Sequence, residues 1–230
     1  MAVKAECLRK TRRSGRTTGR ASRLERRRRL RYDAGMREKE ALVLDGGLGD
    51  GSLTHGACEI VGVALKGAGW RVRRLALREI DIAPCLGCFG CWVKTPGVCV
   101  IDDAGRDVAR QIAQSDLLVY ITPLTFGGYS SELKKALDRS IPNILPLFRR
   151  VKGEVHHVKR YARHPRLLGI GVSARGPIDP EDEELFETLV HRNAINMAAP
   201  RNATCVLGVT DDDEIKTGRI ERAVRRVIGS

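Results

Sequence analysis

The sequence predicts a doubly wound α/β fold, in which helices cover both faces of a five-stranded parallel sheet with the strand order 2-1-3-4-5. Five short and almost wholly apolar runs recur along the chain, as expected of parallel strands that are buried on both faces. Amphipathic stretches with helical spacing separate these runs. Glycine-rich turns follow the first and third runs, where the chain would pass from a strand to a helix.

The first strand and helix are the clearest of these elements. Residues 41–44 form an apolar run that ends at Asp45-Gly46-Gly47, which predicts a buried strand and a turn. Residues 67–69 contain two glycines and end the helix that follows. A second strand fits within residues 70–77. The apolar side of the first helix consists of Leu53, Ala57, Ile60, Val61 and Ala64.

The remaining elements continue the alternation of helix and strand. Asp102-Asp103 is a candidate N-cap for a short helix, and the apolar run 117–121 is the third strand. A further helix is broken near Pro142. The fourth and fifth strands are expected at 167–172 and 203–207. The helices are marked by Val108, Ala109 and Ile112; by Leu133, Ala136, Leu137 and Ile141; by Leu185, Phe186, Leu189 and Val190; and by Ile220, Ala223, Val224, Val227 and Ile228.

The charge of the chain is concentrated in its first 35 residues. Eleven Arg and two Lys face three acidic residues there, so this segment carries +10 of the formal net charge of +13. Because it has little apolar material to bury, we expect a disordered basic leader over residues 1–37 and one folded domain over 38–230. Two interpretations of the leader stay open: a segment upstream of a true start at Met36, or a nucleic-acid-binding arm. The near-neutral remainder disfavours nucleic-acid binding by the domain itself.

The chain has neither an apolar run of about 18 residues, the length that a membrane span needs, nor an apolar core in its N-terminal segment. We therefore expect a cytoplasmic protein without membrane contact. In such a compartment the seven cysteines should be reduced thiols. Four of them crowd between positions 85 and 99, which suggests metal or redox chemistry.

The turn after the first strand, residues 46–54, is a candidate phosphate site. A helix N-terminus presents unpaired N–H groups and a partial positive charge, and glycines let the backbone approach a ligand closely. The sequence lacks the Gly-Lys-Ser/Thr of a P-loop, and an ordinary glycine-rich turn is the alternative. The candidate ligand-binding residues are Gly46, Gly47, Gly51, Ser52, Leu53 and Thr54.

The turn after the third strand, residues 122–130, is the second half of the candidate site. In the order 2-1-3-4-5 the tips of strands one and three are neighbours, and ligands bind there. Phe126 can cover an aromatic ring, unless this connection is an ordinary one with Phe126 in the core. Ser173 follows the fourth strand and can border the other side of the ring. The candidates in the turn are Pro123, Leu124, Thr125, Phe126, Gly127 and Gly128.

Two further segments attract attention. The run Cys85-x2-Cys88-x2-Cys91-x7-Cys99 has a compact spacing that suits an iron–sulfur cluster, with zinc, free thiols or a reversible disulfide as alternatives. Residues 153–157, which include His156-His157, form either a loop over the ligand site or a plain surface loop. No hydrolase signature is present, and no residue is assigned as a general acid or base.

These stretches resemble the flavodoxin-like family of NAD(P)H-dependent FMN reductases and iron–sulfur flavoproteins. The resemblance runs in order over about residues 40–210 and includes 84–99 with Asp102-Asp103, 122–128 with Asp138-Arg139 downstream, and 153–161. It implies a flavodoxin-like three-layer sandwich, FMN, and a homodimer or higher oligomer. Electrons would come from NAD(P)H or a ferredoxin. In the iron–sulfur members a [4Fe-4S] cluster would be held by Cys85, Cys88, Cys91 and Cys99. One departure is the first turn, which in the family resembles Gly-Ser-Pro-Arg.

The sequence thus predicts an enzyme: an FMN-dependent oxidoreductase that passes electrons from NAD(P)H through flavin to an acceptor. The alternative is an iron–sulfur flavoprotein that carries electrons without a small-molecule substrate of its own. A third hypothesis is nucleic-acid binding through the basic leader.

Overall fold

The computed structural model describes residues 37–49, 53–151, 153–174, 176 and 178–229. The predicted disorder of the leader, and the candidates Gly51 and Ser52, lie outside these residues. No helix in the described ranges has the length and apolar content of a bilayer-spanning segment.

A five-stranded parallel sheet forms the centre of the domain, and two further strands form a separate antiparallel hairpin. The five strands lie in the order β2-β1-β3-β6-β7, which is 2-1-3-4-5 when the sheet strands alone are numbered, so the predicted topology is confirmed. The described strands are β1 Glu40–Asp45, β2 Arg71–Ala76, β3 Leu117–Pro123, β4 Ile144–Val151, β5 Glu154–Lys159, β6 Arg166–Ser173 and β7 Asn202–Gly208.

Helices cover both faces of this sheet. The described helices are α1 Thr54–Gly67, α2 Gly90–Val93, α3 Ala104–Gln114, α4 Ser131–Asp138, α5 Pro180–Asn196 and α6 Asp213–Ile228, with 3-10 turns at Leu77–Glu79 and Ile141–Asn143. Apolar residues of α1 and α6 pack on one face of the sheet, and those of α3, α4 and α5 pack on the other. The helix expected to break near Pro142 ends earlier, at Asp138.

The apolar strand runs of the sequence reflect this double cover. Along β1, Ala41 and Val43 belong to the core under α1 and α6, while Leu42 and Leu44 belong to the opposite core. Burial of each valine or leucine side chain among them contributes about 1.5–3 kcal/mol. Packing also requires a glycine at position 169 in β6, because a Cβ there would lie 2.5 Å from Cγ2 of Val190 on α5.

The hairpin of β4 and β5 is the main element that sequence patterns missed, since residues 153–157 were expected to form a loop. Gly153 makes its turn with a φ of +89°. The adjacent histidines point to opposite sides, as a strand requires. His156 is buried and lies 2.9 Å from Oε2 of Glu154, whereas Nδ1 of His157 lies 2.8 Å from the carbonyl oxygen of Leu145.

Candidate functional site

The turns after β1 and β3 lie in direct contact, as the predicted strand order requires. Asp45 at the end of β1 pairs in register with Ile121 of β3. The hydroxyl of Ser130 donates a hydrogen bond of 2.7 Å to the carbonyl oxygen of Gly46, and the amide of Gly46 donates one of 2.7 Å to Ile121. A Cβ on Gly46 would lie 2.8 Å from the Ser130 hydroxyl oxygen. This contact between the two turns requires a glycine at position 46.

The buried carboxylate of Asp45 organises the first turn. Its Oδ1 accepts hydrogen bonds from the amide of Gly47 at 3.0 Å and from the hydroxyl of Thr54 at 2.7 Å. Its Oδ2 accepts one of 2.6 Å from Arg74, and Arg78 lies 3.6 Å away. Burial raises the pKa of Asp45, but the bonds from Thr54, Arg74 and Gly47 outweigh burial and hold that pKa below its usual range.

These bonds change the roles expected in the first turn. The Gly47 amide hydrogen and the Thr54 hydroxyl hydrogen already serve Asp45, so neither is available to a phosphate in this arrangement. Leu53 lies exposed immediately before α1. The sequence offered no sign of this competition, because Asp45 is ordinary as the last residue of a strand.

The N-terminus of α1 differs from those of the other helices. Among the described helices of eight or more residues, four have a side chain at the N-cap that accepts a backbone hydrogen bond: Asp103, Ser130, Asp179 and Asp212. The N-cap residue of α1 is Leu53, which makes no such bond, and the first turn of α1 has no acidic residue. The backbone N–H groups and the partial positive charge of such a helix end favour a bound anion.

The turn after β3 exposes an aromatic ring at its tip. Thr125 and Gly128 exchange backbone hydrogen bonds of 3.1 and 2.9 Å across a tight turn. Phe126 and Gly127 have φ angles of +50° and +69° there, which is the type I′ pattern. Phe126 is 87% exposed, so the alternative that it belongs to the core is wrong. A positive φ costs a bulky residue about 1 kcal/mol or more, and such strain is concentrated at functional sites.

The other candidates of the second turn have structural contacts. Pro123 is the last residue of β3. The amide of Leu124 donates a hydrogen bond of 2.9 Å to the carbonyl oxygen of Val172. The Leu124 side chain packs closely on Gly171, because a Cβ added to Gly171 would lie 2.7 Å from Cδ2 of Leu124. Ser173 ends β6 at the same edge of the sheet and is largely buried. The structure therefore brings these residues to one edge, with Leu124 directed toward β6.

The four clustered cysteines share one loop but do not converge as metal ligands. Cys85 and Cys88 are exposed, while Cys91 is buried. Burial raises the pKa of the Cys91 thiol, and the thiols of Cys99, Cys85 and Cys88 raise it further, so these three lie within electrostatic range of Cys91. No group of three or more His, Cys, Asp or Glu side chains in the described part of the chain is placed to hold a metal ion. The cluster expected at Cys85, Cys88, Cys91 and Cys99 therefore stays a prediction.

A buried arginine ties the two ends of the cysteine loop together. Arg139, directly after α4, is 1% exposed and donates hydrogen bonds of 2.5 and 2.7 Å to the two carboxylate oxygens of Asp103. It also donates one of 2.8 Å to the carbonyl oxygen of Ala83 and one of 3.3 Å to that of Ile101. Asp103 in turn caps α3, as predicted. Sequence reasoning placed Arg139 in the family resemblance but assigned it no role.

An aromatic contact joins the cysteine loop to the hairpin. The Trp92 ring stacks on Phe89 with a centroid distance of 5.1 Å and lies 5.2 Å from the ring of His157. Its Nε1 donates a hydrogen bond of 3.0 Å to the carbonyl oxygen of Ile144 in β4. The histidine pair thus belongs to the anchoring of the hairpin, and the cysteine loop packs against it.

Comparison with known proteins assigns the chain to a family. Residues 40–163, more than half of the chain, match the family described as NADPH-dependent FMN reductase. The chain belongs to this family. The resemblance predicted from the sequence is thereby confirmed. The match to the NADPH-dependent FMN reductase family includes both candidate turns and the cysteine loop.

Two curated relatives are similar over shorter stretches. An iron–sulfur flavoprotein of Methanocaldococcus jannaschii is 34% identical over 68 residues, which are 30% of this chain and 34% of the relative. An iron–sulfur flavoprotein of Methanosarcina thermophila is 31% identical over 88 residues, or 36% of this chain and 45% of the relative. The aligned segments thus span less than half the length of either relative.

Solved structures extend the likeness of the fold over most of the chain. A NAD(P)H:quinone oxidoreductase from Methanothermobacter marburgensis has a TM-score of 0.62 at 16% identity and covers 82% of this chain and 96% of its own. An azoreductase from Bacillus anthracis has a TM-score of 0.61 at 13% identity and covers 84% of this chain and 100% of its own. At these identities the comparison establishes the flavodoxin-like fold.

Proposed function

We propose that the protein is an FMN-dependent oxidoreductase that passes electrons from NAD(P)H to an acceptor. The observation that carries this proposal is the N-terminus of α1, whose N-cap residue Leu53 makes no side-chain cap hydrogen bond and which lies at the same edge of the sheet as the exposed turn of Phe126. Membership of the NADPH-dependent FMN reductase family supports the same cofactor and donor.

The FMN phosphate is proposed to bind at the start of α1, within residues 46–54. The helix dipole and the backbone amides of the first turn favour a doubly negative group there. Arg74 and Arg78 contribute positive charge below the turn, although both pair with Asp45. In the family pattern an arginine in the first turn supplies positive charge near the phosphate. We propose that Arg74 and Arg78 supply part of that charge here.

The isoalloxazine ring is proposed to lie against residues 123–128, with Ser173 on its other side. Phe126 offers an exposed aromatic face, and backbone N–H groups near Gly127 can donate to a reduced, anionic ring. Bound FMN would supply hydride chemistry, accepting from a reduced nicotinamide and passing the electrons on. The protein's own contribution is to bind, orient and partly shield the ring.

Comparison of FMN with riboflavin tests the phosphate placement. The first turn of α1 contains Gly56 and the middle of the helix contains Gly62, and a Cβ at either position meets no atom within 4 Å. Gly56→Asp places a negative charge beside the proposed phosphate, whereas Gly62→Asp places the same charge in mid-helix. We expect Gly56→Asp to weaken FMN binding by at least about tenfold, as like-charge repulsion of about 1.4 kcal/mol would do, and to leave riboflavin binding unchanged.

The matched variant is the control for this experiment, which is followed by flavin absorbance and fluorescence. Equal FMN affinities of the Gly56→Asp and Gly62→Asp variants would overturn the phosphate placement. Failure of the unaltered protein to bind micromolar FMN would overturn the proposed function itself.

A carrier function is the second candidate, because four thiols lie on one anchored loop and the curated relatives are iron–sulfur flavoproteins. Anaerobic iron and sulfide analysis, with the visible spectrum of the isolated protein, separates the candidates. A stoichiometric cluster with negligible NAD(P)H turnover would favour the carrier. NAD(P)H turnover through flavin in iron-free protein would favour the reductase.

The family also supports a homodimer or higher oligomer and a cytoplasmic location, both of which we include in the proposal. Light scattering after size-exclusion chromatography tests the oligomeric state. We further propose that the domain starts at residue 38 and folds without the leader, which a chain beginning at Glu38 tests by its thermal unfolding. Nucleic-acid binding by the leader would fall steeply with salt and vanish from that shortened chain.

A further inference from the structure

A cavity lies on the face of the sheet that α3, α4 and α5 cover. Its volume is about 500 Å³, and residues 161–165 close one side of it. Of the turn after β3, residues 122–130, the cavity touches Gly128 and Tyr129. Its volume lies in the usual range of small-molecule sites, about 300–1,000 Å³.

The walls of this cavity are mainly apolar. The two titratable side chains of opposite charge at its lining, Lys134 and Asp138, pair with each other at 2.5 Å. The Nε2 of His164 lies within hydrogen-bond distance, 2.9 Å, of the carbonyl oxygen of Tyr161. Burial lowers the pKa of the His164 ring, which favours its neutral form. A neutral ligand therefore suits the cavity. The apolar lining consists of Ile112, Leu137, Ile141, Ile144, Leu189 and Met197.

Two tyrosine hydroxyl groups at the lining lack a strong acceptor. Tyr120 is fully buried in the middle of β3, and its hydroxyl donates to the sulfur of Met197 at 3.4 Å, which is a weak acceptor. The hydroxyl of Tyr129 accepts a hydrogen bond of 2.8 Å from Asn193, and within the described residues its own hydrogen has no acceptor. A buried donor without a good acceptor is costly. A ligand that places an acceptor atom next to these hydroxyl groups therefore has a binding advantage.

The tyrosines are held in place by their neighbours. The rings of Tyr120 and Tyr129 meet edge to face at 5.9 Å, and Tyr129 meets Phe186 of α5 in the same way at 5.9 Å. Burial raises the pKa of both hydroxyl groups, so they remain donors at neutral pH. The two donors are thus fixed before any ligand binds, which reduces the entropy lost on binding.

We propose that this cavity binds a neutral, flat and apolar molecule with carbonyl-type oxygen acceptors, such as an aromatic ketone. The apolar walls take the carbon skeleton, and the hydroxyl groups of Tyr120 and Tyr129 donate to the oxygens. This site borders the proposed flavin site at Gly128, but the proposal does not rest on flavin binding. The ligand is recognised by its acceptors, because an unsubstituted hydrocarbon of the same shape offers neither hydroxyl group an oxygen acceptor.

A pair of probes that differ in one carbonyl group tests this recognition. We use 1-tetralone, a bicyclic aromatic ketone that does not modify thiols, and tetralin, its hydrocarbon counterpart. Titration calorimetry of the full chain should show tighter binding of 1-tetralone. Tyr120→Phe and Tyr129→Phe keep the rings and remove the donors, and each should weaken 1-tetralone binding about three- to tenfold, the value of one net hydrogen bond. Tetralin binding should stay unchanged in both variants.

Further measurements distinguish binding in this cavity from binding elsewhere on the protein. Leu189→Trp fills the cavity and should abolish binding of both probes, and saturating FMN should not displace 1-tetralone. Equal binding of the two probes, or 1-tetralone affinity that both phenylalanine variants leave unchanged, would overturn the proposal. So would a self-association of the chain that the probes reverse, because a second copy would then occupy the cavity. Loss of FMN binding in the unaltered protein would contradict the proposed function and leave this test unaffected.

Discussion

The first-strand turn and the cysteine loop are both held by a buried ion pair, but opposite members of the pair are buried. In the first-strand turn the buried member is the Asp45 carboxylate, whose partners Arg74 and Arg78 are 30% and 22% exposed. In the cysteine loop the buried member is the Arg139 guanidinium at 1% exposure, whose partner Asp103 is 15% exposed. The two loops therefore respond differently when a charge is removed.

The difference follows from which charge is left behind. A charge that stays buried without its partner suffers the full desolvation penalty, whereas a surface arginine that loses its carboxylate can turn to water. Loss of Asp103 strands a buried cation, and loss of Asp45 releases two cations near solvent. The cysteine loop is consequently the more vulnerable of the two to a single substitution.

Asp103→Asn tests the more vulnerable loop and has the largest expected effect. The uncompensated guanidinium of Arg139 should lower the free energy of unfolding by about 3–5 kcal/mol. Urea denaturation measures the loss, and hydrogen exchange should show faster exchange across residues 83–103. Glu221→Gln, which removes an exposed pair with Arg225 on α6, is the control and should cost about 0–1 kcal/mol. Equal effects of the two variants would contradict a stabilising role of the Arg139–Asp103 ion pair.

Asp45→Asn tests the first-strand turn and should cost less, about 2 kcal/mol, because hydrogen bonds to a charged group are lost but the arginines remain partly hydrated. The same urea experiment measures it. The comparison fails if Asp45→Asn destabilises the protein more than Asp103→Asn does.

Acid should weaken both loops. Hydrogen bonds hold the pKa of Asp45 below its usual range, and the bond from Arg139 does the same for Asp103. A carboxyl whose pKa is lower in the folded state stabilises the protein fully above its unfolded pKa, about 4, and loses this contribution as the pH falls through the folded pKa. The free energy of unfolding should therefore decline below about pH 4. The decline should be shallower in Asp45→Asn, and an unchanged slope would refute the assignment.

Ser130→Ala should have the smallest effect, because it removes a cap and one contact between the turns without leaving a charge. Its hydroxyl caps α4 and donates to Gly46. We expect a loss of about 1 kcal/mol in the free energy of unfolding. FMN affinity should also fall if the contact between the turns shapes the flavin site. Asp212→Ala, which removes the cap of the remote α6, is the matched control and should leave FMN affinity unchanged.

The sheet, its strand order and the edge where the site lies were predictable, because strands buried on both faces leave continuous apolar runs such as 117–121. The hairpin was missed because 144–159 alternates poorly, with Pro146 and a bulge in β4. The hydrogen bonds from Gly47 and Thr54 to Asp45 were not predictable either, since they form only once β1 and α1 are packed together.

The sequence by itself determined the α/β alternation, the family and the edge of the sheet where the flavin site is proposed, because local periodicity and short motifs encode these features. Tertiary structure alone decided which charges are buried, which amide and hydroxyl hydrogens are already used, and which of the four clustered thiols is buried. Those properties depend on contacts between residues that are far apart in the chain, such as Arg139 with Asp103 and Gly46 with Ser130. Burial and hydrogen-bond competition have no local signature in a sequence.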